Sequence, residues 1–83
     1  MMMNGSETVT DRFFRAYDEL LALDKTGLNQ FCRDLGVDKR NFCAVMRNRD
    51  RYHIRAEWLS VLVTQYGVSA GWLLTGKGWI FGE

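Results

Sequence analysis

The chain has 83 residues, of which 47% are hydrophobic and 25% are charged, and its formal net charge is +1. These values predict one small globular domain with a modest core and argue against disorder over most of the length. No apolar run approaches the roughly 18 residues that a membrane span requires, and residues 1–10 lack the pattern of a secretory signal. We therefore expect a cytoplasmic location and no membrane partner.

The charged residues are distributed unevenly along the chain. Residues 1–37 contain four basic and six acidic side chains, whereas residues 38–55 contain six basic and two acidic ones. The basic residues of this central block are Lys39, Arg40, Arg47, Arg49, Arg51 and Arg55. Such a block is either a solvated surface or a footprint for phosphate groups, and the second interpretation predicts a nucleic-acid partner.

The first part of the chain predicts a lead segment followed by a helix. Residues 1–9 show no apolar period and predict a flexible lead, which leaves residues 10–83 as the folded domain. Thr10 or Asp11 is predicted to cap a first helix that ends near Leu23. The chain contains no proline and no alternating run of strand length, so the fold class predicted for the whole domain is all-α.

Two short helices separated by a tight turn are predicted next. The second helix covers residues 28–35 and ends at Gly36, because glycine tolerates the positive φ of a sharp turn. Val37 is predicted to be buried in that turn, and Asp38 is a good N-cap for a third helix over residues 39–47. The inner stripe of the third helix consists of Phe42, Val45 and Met46.

Two more helices complete a predicted bundle of five. Residues 48–52 are polar and predict a loop, and a fourth helix follows over about residues 55–66. Its inward residues are predicted to be Trp58, Leu59, Leu62, Val63 and Tyr66. Ser69 can cap a fifth helix that ends near Thr75. That helix carries Trp72, Leu73 and Leu74, of which Trp72 is predicted to belong to the core.

Two short helices joined by a turn with one glycine predict a helix-turn-helix unit, in which the second helix enters the major groove of DNA. Lys39 and Arg40 can donate to guanine O6 and N7 or to phosphate, and Asn41 can pair with adenine or bind phosphate. Cys43 and Ala44 are small enough for close approach, and Ala44 can touch a thymine methyl group. Phosphate contacts are the natural role of the arginines that follow. These are Arg47, Arg49 and Arg51.

The stretch NQFCRDLGVDKRNF over residues 29–42 resembles the helix-turn-helix of lambda-repressor-like regulators. The second stretch, YGVS at 66–69 followed by WLLTGKG at 72–78, resembles the closing helix of phage repressor N-terminal domains. Together the resemblance covers residues 11–81. It implies a compact five-helix domain, double-stranded DNA as ligand and frequently a homodimer. It also implies base contacts at Lys39, Arg40 and Ala44, and phosphate contacts near Asn29, Gln30 and Asn41.

The chain departs from this family pattern at three positions. Cys32 stands where the family usually has alanine, and Leu28 stands where many relatives have a phosphate-binding glutamine. Asp38 replaces the usual serine or threonine cap; its carboxylate caps well but repels a nearby phosphate.

The remaining features predict no catalysis. Cys32 and Cys43 match neither a redox nor a zinc spacing, and the single His53 does not complete a metal site with them. No nucleophile–base pair, paired carboxylates or phosphate loop is visible, so we expect no enzyme activity, cofactor, metal or small-molecule substrate. The alternative to a DNA-binding repressor is a protein-interaction module, such as an antitoxin-like adaptor, that keeps the same fold.

The end of the chain carries three large apolar residues, Trp79, Ile80 and Phe81, in a loop or extended tail. Side chains of this kind must cover apolar surface. They either fold back onto the core of the domain or form a dimer surface.

Overall fold

In the computed structural model, which describes residues 7–82, five α-helices follow one another. They are α1 (Val9–Ala22), α2 (Leu28–Leu35), α3 (Lys39–Arg47), α4 (Ala56–Tyr66) and α5 (Ala70–Thr75). No strand occurs within these residues, although an isolated antiparallel bridge joins Val68 to Phe81. The all-helical prediction is therefore confirmed, and α2 and α3 have the predicted bounds. None of the helices between residues 7 and 82 has the length and apolar character needed to cross a bilayer.

The start of α1 differs from its prediction. The hydroxyl of Thr8 accepts a hydrogen bond from the N–H of Asp11 at 3.1 Å, and the carboxylate of Asp11 accepts one from the N–H of Thr8 at 3.1 Å. This reciprocal pair is a capping box, which requires its two members three residues apart. Thr8 is therefore the cap, and the prediction of Thr10 or Asp11 was wrong. Val9, which was assigned to the lead, is the first residue of α1; most of the predicted lead lies outside the described residues.

Aromatic side chains from different helices form the centre of the core. Phe42 of α3 is fully buried, and its ring centroid lies 5.6 Å from that of Phe14, 5.1 Å from that of Tyr17 and 5.7 Å from that of Phe31. Trp58 of α4 completes the cluster, with its ring centroid 5.9 Å from that of Phe42. Aromatic pairs at these distances add to the stability from area burial alone. The side chain of Phe42 thus contacts α1, α2 and α4.

A buried arginine joins the first helix to the last. Arg12 is 7% exposed. Its Nε donates to the carbonyl of Leu73 at 2.8 Å, its Nη2 donates to that of Leu74 at 3.1 Å, and its Nη1 donates to that of Glu7 at 3.1 Å. A cation beside the last carbonyls of a helix also interacts favourably with the helix dipole. Arg12 therefore acts as a side-chain cap for the end of α5.

The fifth helix exposes one of its three large apolar residues. Ser69 caps α5 as expected, and Trp72 and Leu73 are buried, but Leu74 is 56% exposed. Consecutive residues of an α-helix point about 100° apart, so three in a row cannot all face the same neighbour. Leu74 is therefore turned away from the core, on the side of α5 that faces water.

The tail returns to the body of the molecule. The N–H of Ser69 donates to the carbonyl of Ile80 at 2.8 Å, and Ile80 and Phe81 pack half-buried against the core. Trp79, in contrast, is 85% exposed. Ile80 and Phe81 thus fold back onto the core. Trp79 is the tail residue that stays accessible, and the dimer contact predicted for the tail remains a prediction.

Candidate nucleic-acid interface

The turn between α2 and α3 is closed by a left-handed residue. Gly36 has φ 72°, and its N–H donates to the carbonyl of Arg33 at 3.1 Å. The N–H of Val37 donates to the carbonyl of Cys32 at 3.1 Å, and the side chain of Val37 packs half-buried against the core. Because glycine adopts this backbone conformation without a Cβ clash, the chain can reverse within a few residues. The turn thus has the conformation predicted for it.

The start of α3 is fixed by its cap and by its buried aromatic residue. The carboxylate of Asp38 accepts hydrogen bonds from the backbone N–H of Asn41 at 2.8 Å and from its side-chain amide at 3.3 Å. Asn41 is exposed, but its amide is already oriented by Asp38. Phe42 lies on the inner face of α3 and is fully buried. Lys39 and Arg40 are exposed at the first turn of α3.

The middle of α3 is more enclosed than its start. Ala44 and Cys43 are both half-buried. The Cys43 thiol lies near Cys32 and Tyr17, where it helps raise the pKa of each, although burial is the larger cause for both groups. Cys43 is thus close to the inner side of the helix, whereas Ala44 lies on its outer side. Both cysteines are free thiols.

A groove runs beside α3 and contains residues that the sequence did not single out. Its volume is about 610 Å³, and Asn41 and Ala44 line one side of it. Tyr52, His53 and Arg55, from the segment before α4, also line it, and all three are exposed. Only Arg55 carried a signal in the sequence, as a member of the basic block. The position of the other two depends on how the loop after α3 returns to α4.

The three arginines predicted to bind phosphate have different environments. Arg47 and Arg51 are exposed. The guanidinium of Arg49 lies 4.9 Å from the ring centroid of Phe14, and its Nε donates to the carbonyl of Met46 at 3.3 Å. Its Nη1 is also 4.0 Å from the carboxylate of Asp11. Arg49 thus anchors the loop to α1, and Arg47 and Arg51 are freer to meet a ligand.

On α2, Gln30 belongs to a chain of side-chain hydrogen bonds. Its Nε2 donates to the carboxylate of Asp34 at 2.9 Å, and its Oε1 accepts from Arg33 at 2.8 Å. The hydroxyl of Tyr66 donates to the same carboxylate. The hydroxyl of Thr26 lies 3.0 Å from the hydroxyl of Tyr66. This chain links α2 to the end of α4. Asn29 is exposed beside it.

The network also affects Tyr66. Partial burial raises the pKa of its phenol, and the hydrogen bond to Asp34 raises it further. Both effects favour the neutral form, which is the form that can donate to the carboxylate. Sequence periodicity assigned Tyr66 to the core and missed this polar contact.

The basic side chains Lys39, Arg40, Arg47 and Arg51 are all exposed on α3 or just after it. Among residues 7–82, no group of three or more histidine, cysteine or acidic side chains is arranged to hold a metal ion. Comparison of the chain with protein-family models, with curated proteins and with solved structures found no match.

Proposed function

We propose that the chain is a sequence-specific DNA-binding transcriptional regulator, of the repressor type, that reads the major groove with α3. The observation that supports this best is the two-sided character of α3. Phe42 is fully buried on its inner face, whereas Lys39 and Arg40 are exposed at its first turn. Cations at a helix start are mildly unfavourable because of the helix dipole, so a ligand gives them a reason to be there.

The dimensions of α3 suit this role. A helix with its side chains is about 10–12 Å across, which matches the roughly 12 Å width of the major groove. In the proposed complex, Lys39 and Arg40 donate to base edges, and Ala44 meets a thymine methyl group. Arg47 and Arg51 then neutralise phosphates on the backbone.

The test is selection of bound sequences from a random DNA pool, followed by affinity measurements at two salt concentrations. We expect an enriched motif, and an affinity that falls as salt rises. The double variant Lys39→Ala with Arg40→Ala should weaken binding to the enriched site by about 30-fold or more, because each base contact contributes roughly 1–3 kcal/mol.

The matched control removes two exposed lysines from other parts of the surface, Lys25→Ala with Lys77→Ala. It changes the net charge by the same amount and should alter affinity only slightly. Equal losses for the two double variants, or no enriched motif, would contradict sequence-specific reading by α3.

A second candidate function is a protein-interaction module that keeps this fold. The net charge of only +1 and the 85% exposure of Trp79 favour it. Recovery of one stoichiometric protein partner, together with no DNA binding at low salt, would decide for it.

A further inference from the structure

The single histidine of the chain lies beside α3. His53 is exposed and lines the groove of about 610 Å³ together with Asn41 and Ala44. It also lines a second groove, of about 820 Å³, which contains Arg47 from the end of α3. Among residues 7–82 its ring takes part in no ion pair. The imidazole is therefore accessible to a ligand that approaches α3.

The groove beside α3 has a net negative charge while His53 is neutral. Its charged side chains are Asp38, which caps α3, and Arg55 and Glu57 around the start of α4. Tyr52 is a titratable neighbour in both grooves. The charged side chains of the second groove are Asp11, Arg47, Arg49 and Asp50. Beside α3, two carboxylates against one guanidinium oppose the approach of a phosphate, and a proton on His53 makes the opposite charges equal.

The protonation of a histidine changes both its charge and its hydrogen bonding. Histidine side chains ordinarily titrate between about pH 5 and 8. The neutral ring has one N–H donor, whereas the protonated ring has two donors and a positive charge. Hydrogen bonds from a cation to a phosphate are shorter and roughly twice as strong as neutral ones. A phosphate therefore prefers the protonated ring.

We propose, building on the proposed function, that protonated His53 binds a backbone phosphate of DNA from the groove beside α3, and that affinity for DNA therefore rises as the pH falls. When a helix lies in the major groove, backbone phosphates border it on either side. Arg55 is exposed in the same groove and supplies a second cation to the same phosphates. The complex thus takes up a proton as it forms, and the regulator responds to the pH of its surroundings.

The test measures affinity for the duplex enriched from the random pool at about pH 5.5 and about pH 7.5, where histidine is mostly charged and mostly neutral. The native chain should bind roughly fivefold more tightly at the lower pH. The slope of log affinity against log salt should also be steeper there by about 0.9, because one more phosphate is neutralised. Helical circular dichroism should be the same at both pH values, which separates the effect from a change in folding.

Variants of His53 isolate the contribution of the proton. His53→Gln keeps a polar side chain that cannot gain a proton, so its affinity and salt slope should be the same at both pH values. His53→Arg is charged at both and should bind tightly at both. The matched control, His53→Gln with Thr75→His, moves the imidazole to an exposed residue that lines neither groove. It should show no more pH dependence than His53→Gln.

Three results would overturn the proposal. One is a native affinity that does not change between the two pH values. The second is a pH dependence in His53→Gln as large as that of the native chain. The third is a control variant with the native pH dependence, because the imidazole would then act only through net charge. All three require that DNA is bound, whereas absence of binding at both pH values would contradict the proposed function itself.

Discussion

The guanidinium of Arg12 ties Glu7, just before α1, to the end of α5 through three backbone carbonyls. Hydrogen bonds from a charged donor are about twice as strong as neutral ones, and a carbonyl left buried without its donor is costly. Arg15, one turn later, is different: its side chain is largely exposed and pairs with Glu7 at 2.6 Å. The guanidinium of Arg15 also lies 5.3 Å from the ring centroid of Trp72, so Arg15 contacts α5 through an aromatic ring and not through its carbonyls.

We expect Arg12→Ala to lower the free energy of unfolding by about 3 kcal/mol, and Arg12→Lys to recover only part of it. Lysine keeps the charge but lacks the planar fork that reaches several carbonyls. The control Arg15→Ala should cost only about 1 kcal/mol, because it removes a surface ion pair and one exposed cation–π contact. Urea denaturation measures all three. Similar losses of stability for Arg12→Ala and Arg15→Ala would contradict the role of Arg12 as a side-chain cap for α5.

Helices α2 and α5 each end at a glycine whose backbone conformation other residues rarely adopt. Gly36 and Gly76 both end helices in the left-handed conformation, with φ 72° and φ 81°. A Cβ at Gly36 would meet nothing within 4 Å, whereas one at Gly76 would lie 3.2 Å from Nη1 of Arg12. Replacement by alanine is therefore expected to destabilise the protein for one physical reason at Gly36 and for two reasons at Gly76.

Gly36→Ala should destabilise the protein by about 1 kcal/mol, from the left-handed backbone alone. Gly76→Ala should cost roughly 1 kcal/mol more, because the added Cβ also displaces the Arg12 guanidinium. In an Arg12→Ala background the extra cost should vanish, since the atom that meets the Cβ is gone. A double-mutant cycle in urea measures this, and additivity of the two changes would argue against coupling.

The cap of α3 joins stability to the proposed function. Asp38→Ala should cost about 1 kcal/mol of stability through the lost bond to the N–H of Asn41. Asp38→Ser should keep most of the cap and remove a negative charge beside Lys39, so it should tighten DNA binding a few-fold at low salt. Asp18→Ser makes the same charge change at an exposed site on α1 and serves as the control. Equal gains for the two serine variants would show that only net charge matters.

The response of the folded protein to alkali involves three helices together. Burial raises the pKa values of the Tyr17 phenol on α1, the Tyr66 phenol on α4 and the Cys32 thiol on α2 above their ordinary values. A raised pKa means that folding favours the protonated form of each group. Their contribution to stability is therefore complete below the pKa values of the unfolded chain and is lost as the pH rises through the folded values.

We expect stability to be insensitive to these groups near neutral pH and to fall from about pH 9 upward. Tyr66→Phe should lower stability at pH 7, because Asp34 loses a donor, and should reduce the steepness of the alkaline decline. Urea midpoints measured between pH 7 and pH 11 test this. An unchanged slope in Tyr66→Phe would show that its phenol does not contribute.

Much of the architecture was predictable from local pattern. The bounds of α2 and α3, the glycine turn between them and the caps Asp38 and Ser69 all depend on residues within a few positions of one another. Helix periodicity, capping chemistry and glycine conformation act over that range. The outward position of Lys39 and Arg40 followed from the same period, once Phe42 was assigned to the core.

Other features required contacts between distant parts of the chain. Composition could not distinguish Arg49, which packs on Phe14, from the exposed Arg47 and Arg51. The bond between Tyr66 and Asp34 spans 32 residues, and the Arg12 clamp spans 61 and 62 residues. The exposure of Leu74 also depends on which side of α5 meets α1. Local pattern specifies which residues form a helix, but the neighbours of each helix decide whether an arginine binds solvent, ligand or backbone.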